Sequence, residues 1–139
     1  MADLTVLIRL HKHELDEKRR ALGELYTAMA ELERERRDLD RAFEREKQAV
    51  DVTGDIHFTF AKYIERVRRQ QEDIARRVAE LEAQIITAKD SLMETFSELK
   101  KYEMTQEERL RLEEQERAVK ESREMDEIGI EGFRRKGEE

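Results

Sequence analysis

Proline does not occur anywhere in the 139 residues, and neither does cysteine or tryptophan. Proline would kink or stop a helix interior at a cost of about 3 kcal/mol, so its absence leaves very long helices permitted. Without cysteine there is no disulfide, no thiolate metal site and no cysteine nucleophile, a usage that suits a reducing compartment. Long apolar runs are missing too. No segment approaches the length needed to span a bilayer, and the opening MADLTVLIRLHKHE has neither a basic n-region nor a small-residue cleavage site. A soluble, cytoplasmic protein is expected. Aromatic residues make up 6% and hydrophobic residues 37%, whereas 45% are charged. That is too little apolar surface for a globular core. Such a chain is either disordered or folded so that each residue needs few apolar neighbours, and a two-helix seam buries only two positions in seven. Periodicity decides between the two.

The formal net charge of −7 is unevenly spread. Basic and acidic residues nearly balance through residues 1–102, and the excess acid lies in residues 103–139. A balanced body with an acidic end argues against nucleic acid as the partner, because affinity there comes mainly from cations neutralising phosphates.

From Leu4 a heptad register places Leu4, His11, Lys18, Leu25, Leu32, Leu39 and Glu46 at one seam position. Ile8, Leu15, Leu22, Met29, Arg36, Phe43 and Val50 occupy the other, and ten of these 14 are apolar. Strong helix formers and charges fill the remaining positions, with Gly23 the one weak point. The pattern stops at DVTGDIHF, residues 51–58, where Gly54 marks a turn and Asp55 or Thr53 can cap the next helix. A second register follows, with Phe60, Val67, Ile74, Leu81, Ala88, Thr95 and Tyr102 at one position and Ile64, Gln71, Val78, Ile85, Leu92, Leu99 and Gln106 at the other. A fold-back centred on Gly54 pairs Leu4 with residue 104, close to where the second register fades.

The expected fold is therefore all-α: two long helices forming an antiparallel coiled-coil hairpin, with a C-terminal helical overhang. Helix one covers about 3–50, the turn about 51–57 and helix two about 58–128, all in one domain. Beyond Tyr102 the sequence is helical in propensity but highly charged and without a regular stripe, so it lacks a partner. A frayed tail is expected over 129–139, where Gly129, Gly132 and Gly137 interrupt the apolar Ile128, Ile130 and Phe133.

Candidate chemistry is sparse. There is no glycine-rich phosphate loop, no serine elbow and no concave fold in which carboxylates would be shifted, so neither an enzyme nor a cofactor is expected. His11 and His13 stand two residues apart, on different faces of a helix, and are read as solvated or seam-edge histidines and not as metal ligands. The polar seam residues His11, Lys18, Arg36, Glu46 and Gln71 either fix register or mark where a third helix docks, the first being favoured. Arg34, Arg36, Arg37, Arg41 and Arg45 on helix one lie opposite Arg66, Arg68, Arg69, Arg76 and Arg77 on helix two; a solvated face balanced by nearby acids is preferred over a patch for an acidic partner. Phe58, Phe60, Tyr63, Ile64 and Val67 give more apolar surface than a two-position stripe needs. Phe58 and Tyr63, off the seam, either close the turn region or form an exposed anchor for another protein.

Four stretches carry a resemblance: LIRLHKHELDEKRRALGEL near the start, the run from Phe60 to Val67, the run from Phe96 to Glu103, and Met125-Asp126-Glu127-Ile128. In their order and spacing the chain resembles the flagellar FliJ family, small coiled-coil proteins of the type III export apparatus, over essentially its whole length. The resemblance implies a cytoplasmic component of bacterial flagellum biogenesis and motility. It would be similar in shape to the central stalk of a rotary ATPase and inserted into the ring of the export ATPase FliI, helping that ring assemble and couple to transport. It also implies binding to the export-gate protein FlhA through an apolar patch that falls on Tyr63, Val67 and Ile74. The end bearing both outer helix termini, with Leu4, Leu7, Ile8, Met125, Asp126 and Glu127, is the expected ATPase contact. Export chaperones are further candidate partners, nucleic acid is not, and the membrane is met only through the gate. The competing readings are a prefoldin-like chaperone, which would need base strands that are not visible, and a structural coiled-coil adaptor, which leaves the aromatic patch unexplained.

Overall fold

A computed structural model describes residues 4–53 and 58–138. Two helices account for nearly all of them: α1, Thr5–Thr53, and α2, Phe58–Glu138. They pack against each other as an antiparallel hairpin, and there is no strand among the described residues. Exposed positions are laced by local ion pairs three or four residues apart, such as Arg19–Asp16 (3.8 Å) and Arg69–Glu65 (3.9 Å). Each contributes at most a few tenths of a kcal/mol. Helix stability must therefore come chiefly from the seam.

Contacts divide the chain into two compact units, residues 13–95 and residues 1–12 with 96–139. In the first, cross-helix pairs run in opposite directions: Lys18 meets Thr95, Glu35 meets Arg77, Asp40 meets Gln71 and Phe43 meets Tyr63. These pairings centre on the stretch 53–57. Gly54 and Asp55, the expected turn and cap residues, lie outside the described residues, as do the side chains of Thr53 and Phe58. The core of this unit is a single row of side chains, with Leu15, Leu32, Val67, Ile74 and Ile85 buried. Removing each from water contributes about 1.5–3 kcal/mol before the cost of ordering the chain. In the second unit Leu4 and Leu99 are buried, Ile8 is half-buried, and Gln106 donates to the Thr5 hydroxyl at 3.4 Å.

The structure corrects the expected register at three positions. Arg36, Glu46 and Gln71 are exposed, while Ala28 and Ala42, one residue before two seam positions, are half-buried. A straight helix has 3.6 residues per turn and drifts against a 3.5-residue repeat, so the contact stripe migrates. Where it does, alanine allows the helices to touch and long polar side chains turn to water. Gln71 then donates to Asp40 at 3.2 Å.

The tail is a second correction. Helix α2 does not end near 128 but continues through Gly129, Gly132 and Gly137 to Glu138. Each glycine costs about 1 kcal/mol relative to alanine, which weakens a helix without ending it when no proline or competing tertiary contact intervenes. Helix α1 likewise runs three residues past the expected end, to Thr53.

Gly23 lies exposed within α1, its carbonyl accepting from the Thr27 hydroxyl at 3.0 Å, and a Cβ built there meets nothing within 4 Å. Gly23→Ala is therefore expected to raise the unfolding free energy by about 1 kcal/mol, read as a higher urea midpoint at unchanged slope.

Candidate partner-binding surfaces

Tyr63 leads the first surface. One turn into α2 it is half-buried, stacked 6.4 Å from Phe43 of α1 and 6.1 Å from Phe60, with the Arg66 guanidinium 5.9 Å from its ring centroid. Arg66, which lies over the Tyr63 ring, also lines a shallow groove floored by Leu39 and Ile74 and rimmed by Glu35, Asp38 and Arg69. Arg77 reaches Glu35 at 3.7 Å and Asp73 at 3.8 Å, and Asp73 also accepts from Arg76. Charges here are interleaved, as expected of a solvated face, so the groove carries no single-sign field.

Val67 and Ile74 are placed differently from Tyr63. They are only 4% and 3% exposed and belong to the intramolecular seam. The structure therefore leaves one of the three expected gate residues partly exposed and buries the other two. Phe43 is the member of this cluster that reasoning along α2 overlooked. Its signal was its distance from the turn, since counting back from Gly54 brings it opposite the start of α2.

The second surface belongs to residues 4–12 and 96–138. Leu4 is buried and Ile8 half-buried against α2, whereas Leu7 is exposed. Val6 and Leu10 are also exposed and widen the apolar surface. They were not singled out from sequence, although four apolar residues in the five from Val6 to Leu10 exceed what a seam requires. His11 closes the inner side: its ring lies 5.0 Å from that of Tyr102, Nδ1–H donates to the Leu7 carbonyl at 2.8 Å and Nε2 lies 3.3 Å from Glu98. His13 turns instead to Glu17. The two histidines thus take separate partners, and among the described residues no group of three or more His, Cys, Asp or Glu could hold a metal ion.

From Leu110 to Gly137 every described side chain is exposed. Met125 is 71% exposed, and Asp126 and Glu127 share that condition. A helix of this length with no tertiary partner among the described residues is marginally stable in water, and Leu110, Leu112, Val119, Met125, Ile128, Ile130 and Phe133 are left exposed on it.

The family model described as "Flagellar FliJ protein" matches residues 1–138. The chain belongs to the FliJ family. No curated protein and no solved structure matches it. Membership makes this FliJ-family chain a component of the flagellar export apparatus, in a family without catalytic activity. Among its described residues no helix is long and apolar enough to cross a membrane.

Proposed function

We propose that this FliJ-family chain binds the flagellar export ATPase FliI, promotes assembly and activity of its ring, and links the ring to the export-gate protein FlhA on the cytoplasmic side of the export apparatus. The observation that carries the ATPase contact is the unpaired stretch from Leu110 to Gly137, helical throughout and exposed throughout. Leu7, Met125, Asp126 and Glu127 supply accessible groups, while Leu4 and Ile8 anchor the start of α1 so that Leu7 is held in place. Entry into a ring would cover the apolar residues of the overhang and convert a marginal helix into a packed one.

The gate contact is assigned to the exposed part of Tyr63. Tyrosine offers a large apolar face and a hydroxyl, the combination most often found at interface hot spots. Val67 and Ile74 act from below, fixing the backbone that presents it. Chaperones of exported proteins remain candidates for the same helical faces.

The test is the steady-state ATP hydrolysis of purified FliI with and without the chain, beside binding to the FlhA cytoplasmic domain. Wild type is expected to stimulate hydrolysis, and Leu7→Asp with Met125→Asp to remove most of that stimulation. Tyr63→Ala is expected to weaken gate binding about tenfold or more while leaving ATPase stimulation intact. Absence of stimulation by the wild-type chain would overturn the ATPase assignment, and unchanged gate binding by Tyr63→Ala would overturn the patch.

A further inference from the structure

Both ring nitrogens of His11 face oxygen. Nδ1 lies 2.8 Å from the Leu7 carbonyl, one turn earlier in α1, and Nε2 lies 3.3 Å from a carboxylate oxygen of Glu98 on α2. A carbonyl can only accept, so Nδ1 carries a proton. A neutral imidazole has a single N–H, and with Nδ1 protonated its Nε2 is left as a lone pair directed at the carboxylate. The bond between the helices therefore forms only when the ring takes up a second proton. The His11 side chain is 13% exposed, and its ring lies 5.0 Å from that of Tyr102, near enough for an aromatic ring to attract a cation. The neighbouring charges are engaged elsewhere: Lys12 reaches Glu103 at 4.0 Å, Glu103 also pairs with Lys100 at 3.2 Å, and Glu14 pairs with Lys18 at 3.3 Å.

We propose that His11 is a proton-controlled latch, tying the first turns of α1 to α2 through Glu98 when its ring is charged and releasing that tie when the ring is neutral. The ligand is the proton itself. Leu4 is buried and Ile8 half-buried whatever the pH, so the latch adjusts how firmly residues 5–12 are held and not whether the helix forms. The latched form binds more protons than the released one. Latching is therefore favoured at low pH and lost as pH rises through the imidazole range, across which Glu98 stays ionised. Glu98 is 60% exposed, so the effect is modest and weakened by salt. His13 supplies the contrast, pairing at 3.1 Å with Glu17 of its own helix, both side chains well exposed. Leu7, whose carbonyl sets the tautomer, is also one of the ATPase contacts assigned above, but the latch does not depend on that assignment.

Amide hydrogen exchange of the full chain, corrected for the intrinsic exchange rate at each pH, measures how firmly residues 8–12 are held. Protection there is expected to be about threefold higher at about pH 5.5 than at about pH 7.5, on either side of the ordinary imidazole range. High salt should shrink the difference, and His11→Gln should abolish it. Glu98→Gln should flatten or reverse it, because the glutamine amide donates to the neutral Nε2. His13→Gln should leave it unchanged. Circular dichroism at both pH values confirms that each variant folds. Equal protection of the wild-type chain at the two pH values overturns the latch. So does a pH dependence that survives Glu98→Gln in sign and size, or one that disappears with His13→Gln.

Discussion

Ile74→Ala is expected to lower the unfolding free energy by about 2–4 kcal/mol, the usual cost of emptying a buried aliphatic site. Ile74 is 3% exposed in a core only one side chain thick, so few neighbours can relax into the space. Alanine is the better helix former, which offsets a few tenths of a kcal/mol and leaves the sign unchanged. Urea denaturation followed by circular dichroism measures the loss as a lower midpoint. The comparison with Tyr63→Ala matters for function. Tyr63 is half-buried and gives up only part of a stacked cluster, so its substitution should cost less stability. A gate-binding defect in Ile74→Ala should recover under conditions that stabilise the hairpin, while one in Tyr63→Ala should persist. An unchanged midpoint for Ile74→Ala would mean that this residue does not hold the helices together.

The second large effect concerns the polar layer within the seam. Lys18 is half-buried, and its ammonium donates to the Ser91 carbonyl at 3.3 Å and to the Thr95 hydroxyl, with Glu14 also 3.3 Å away. Thr95 is 3% exposed, the one buried polar residue among those described. Thr95→Val alone removes an acceptor and should destabilise by about 1 kcal/mol, because the ammonium loses a partner while staying partly desolvated. Lys18→Leu with Thr95→Val replaces the whole layer by apolar groups and should stabilise by about 1–2 kcal/mol. The single and the double changes thus differ in sign, and a double-mutant cycle isolates the coupling. The apolar layer also no longer specifies which residues face each other, so sedimentation of the double variant should show additional oligomers. A destabilised double variant would show that the layer contributes net stability and is not a device for register alone.

Several features of the fold were legible from residue order. Two heptad registers, a lone interruption at residues 51–58 and the absence of proline sufficed for an antiparallel hairpin, since the burial of Leu15, Leu32, Val67, Ile74, Ile85 and Leu99 follows the apolar periodicity. Family membership was legible as well, carried by the spacing of four short stretches. The extent of the tail was not. Local propensity at Gly129, Gly132 and Gly137 argues for an end, yet helix termination depends on whether anything better awaits the chain, and within α2 nothing replaces the next backbone hydrogen bond.

The candidate sites divide along the same line. Composition and periodicity alone determined that this protein is helical, that its core is a seam and that its C-terminal stretch has no internal partner. Only the tertiary structure decided that Val67 and Ile74 are buried while Tyr63 stays half-buried, and that Arg36, Glu46 and Gln71 leave the seam they formally occupy. The reason is geometric. A heptad names the average direction of a side chain, but the drift between 3.5 and 3.6 residues per turn, and the size of the residue on the opposing helix, settle which individual groups are covered.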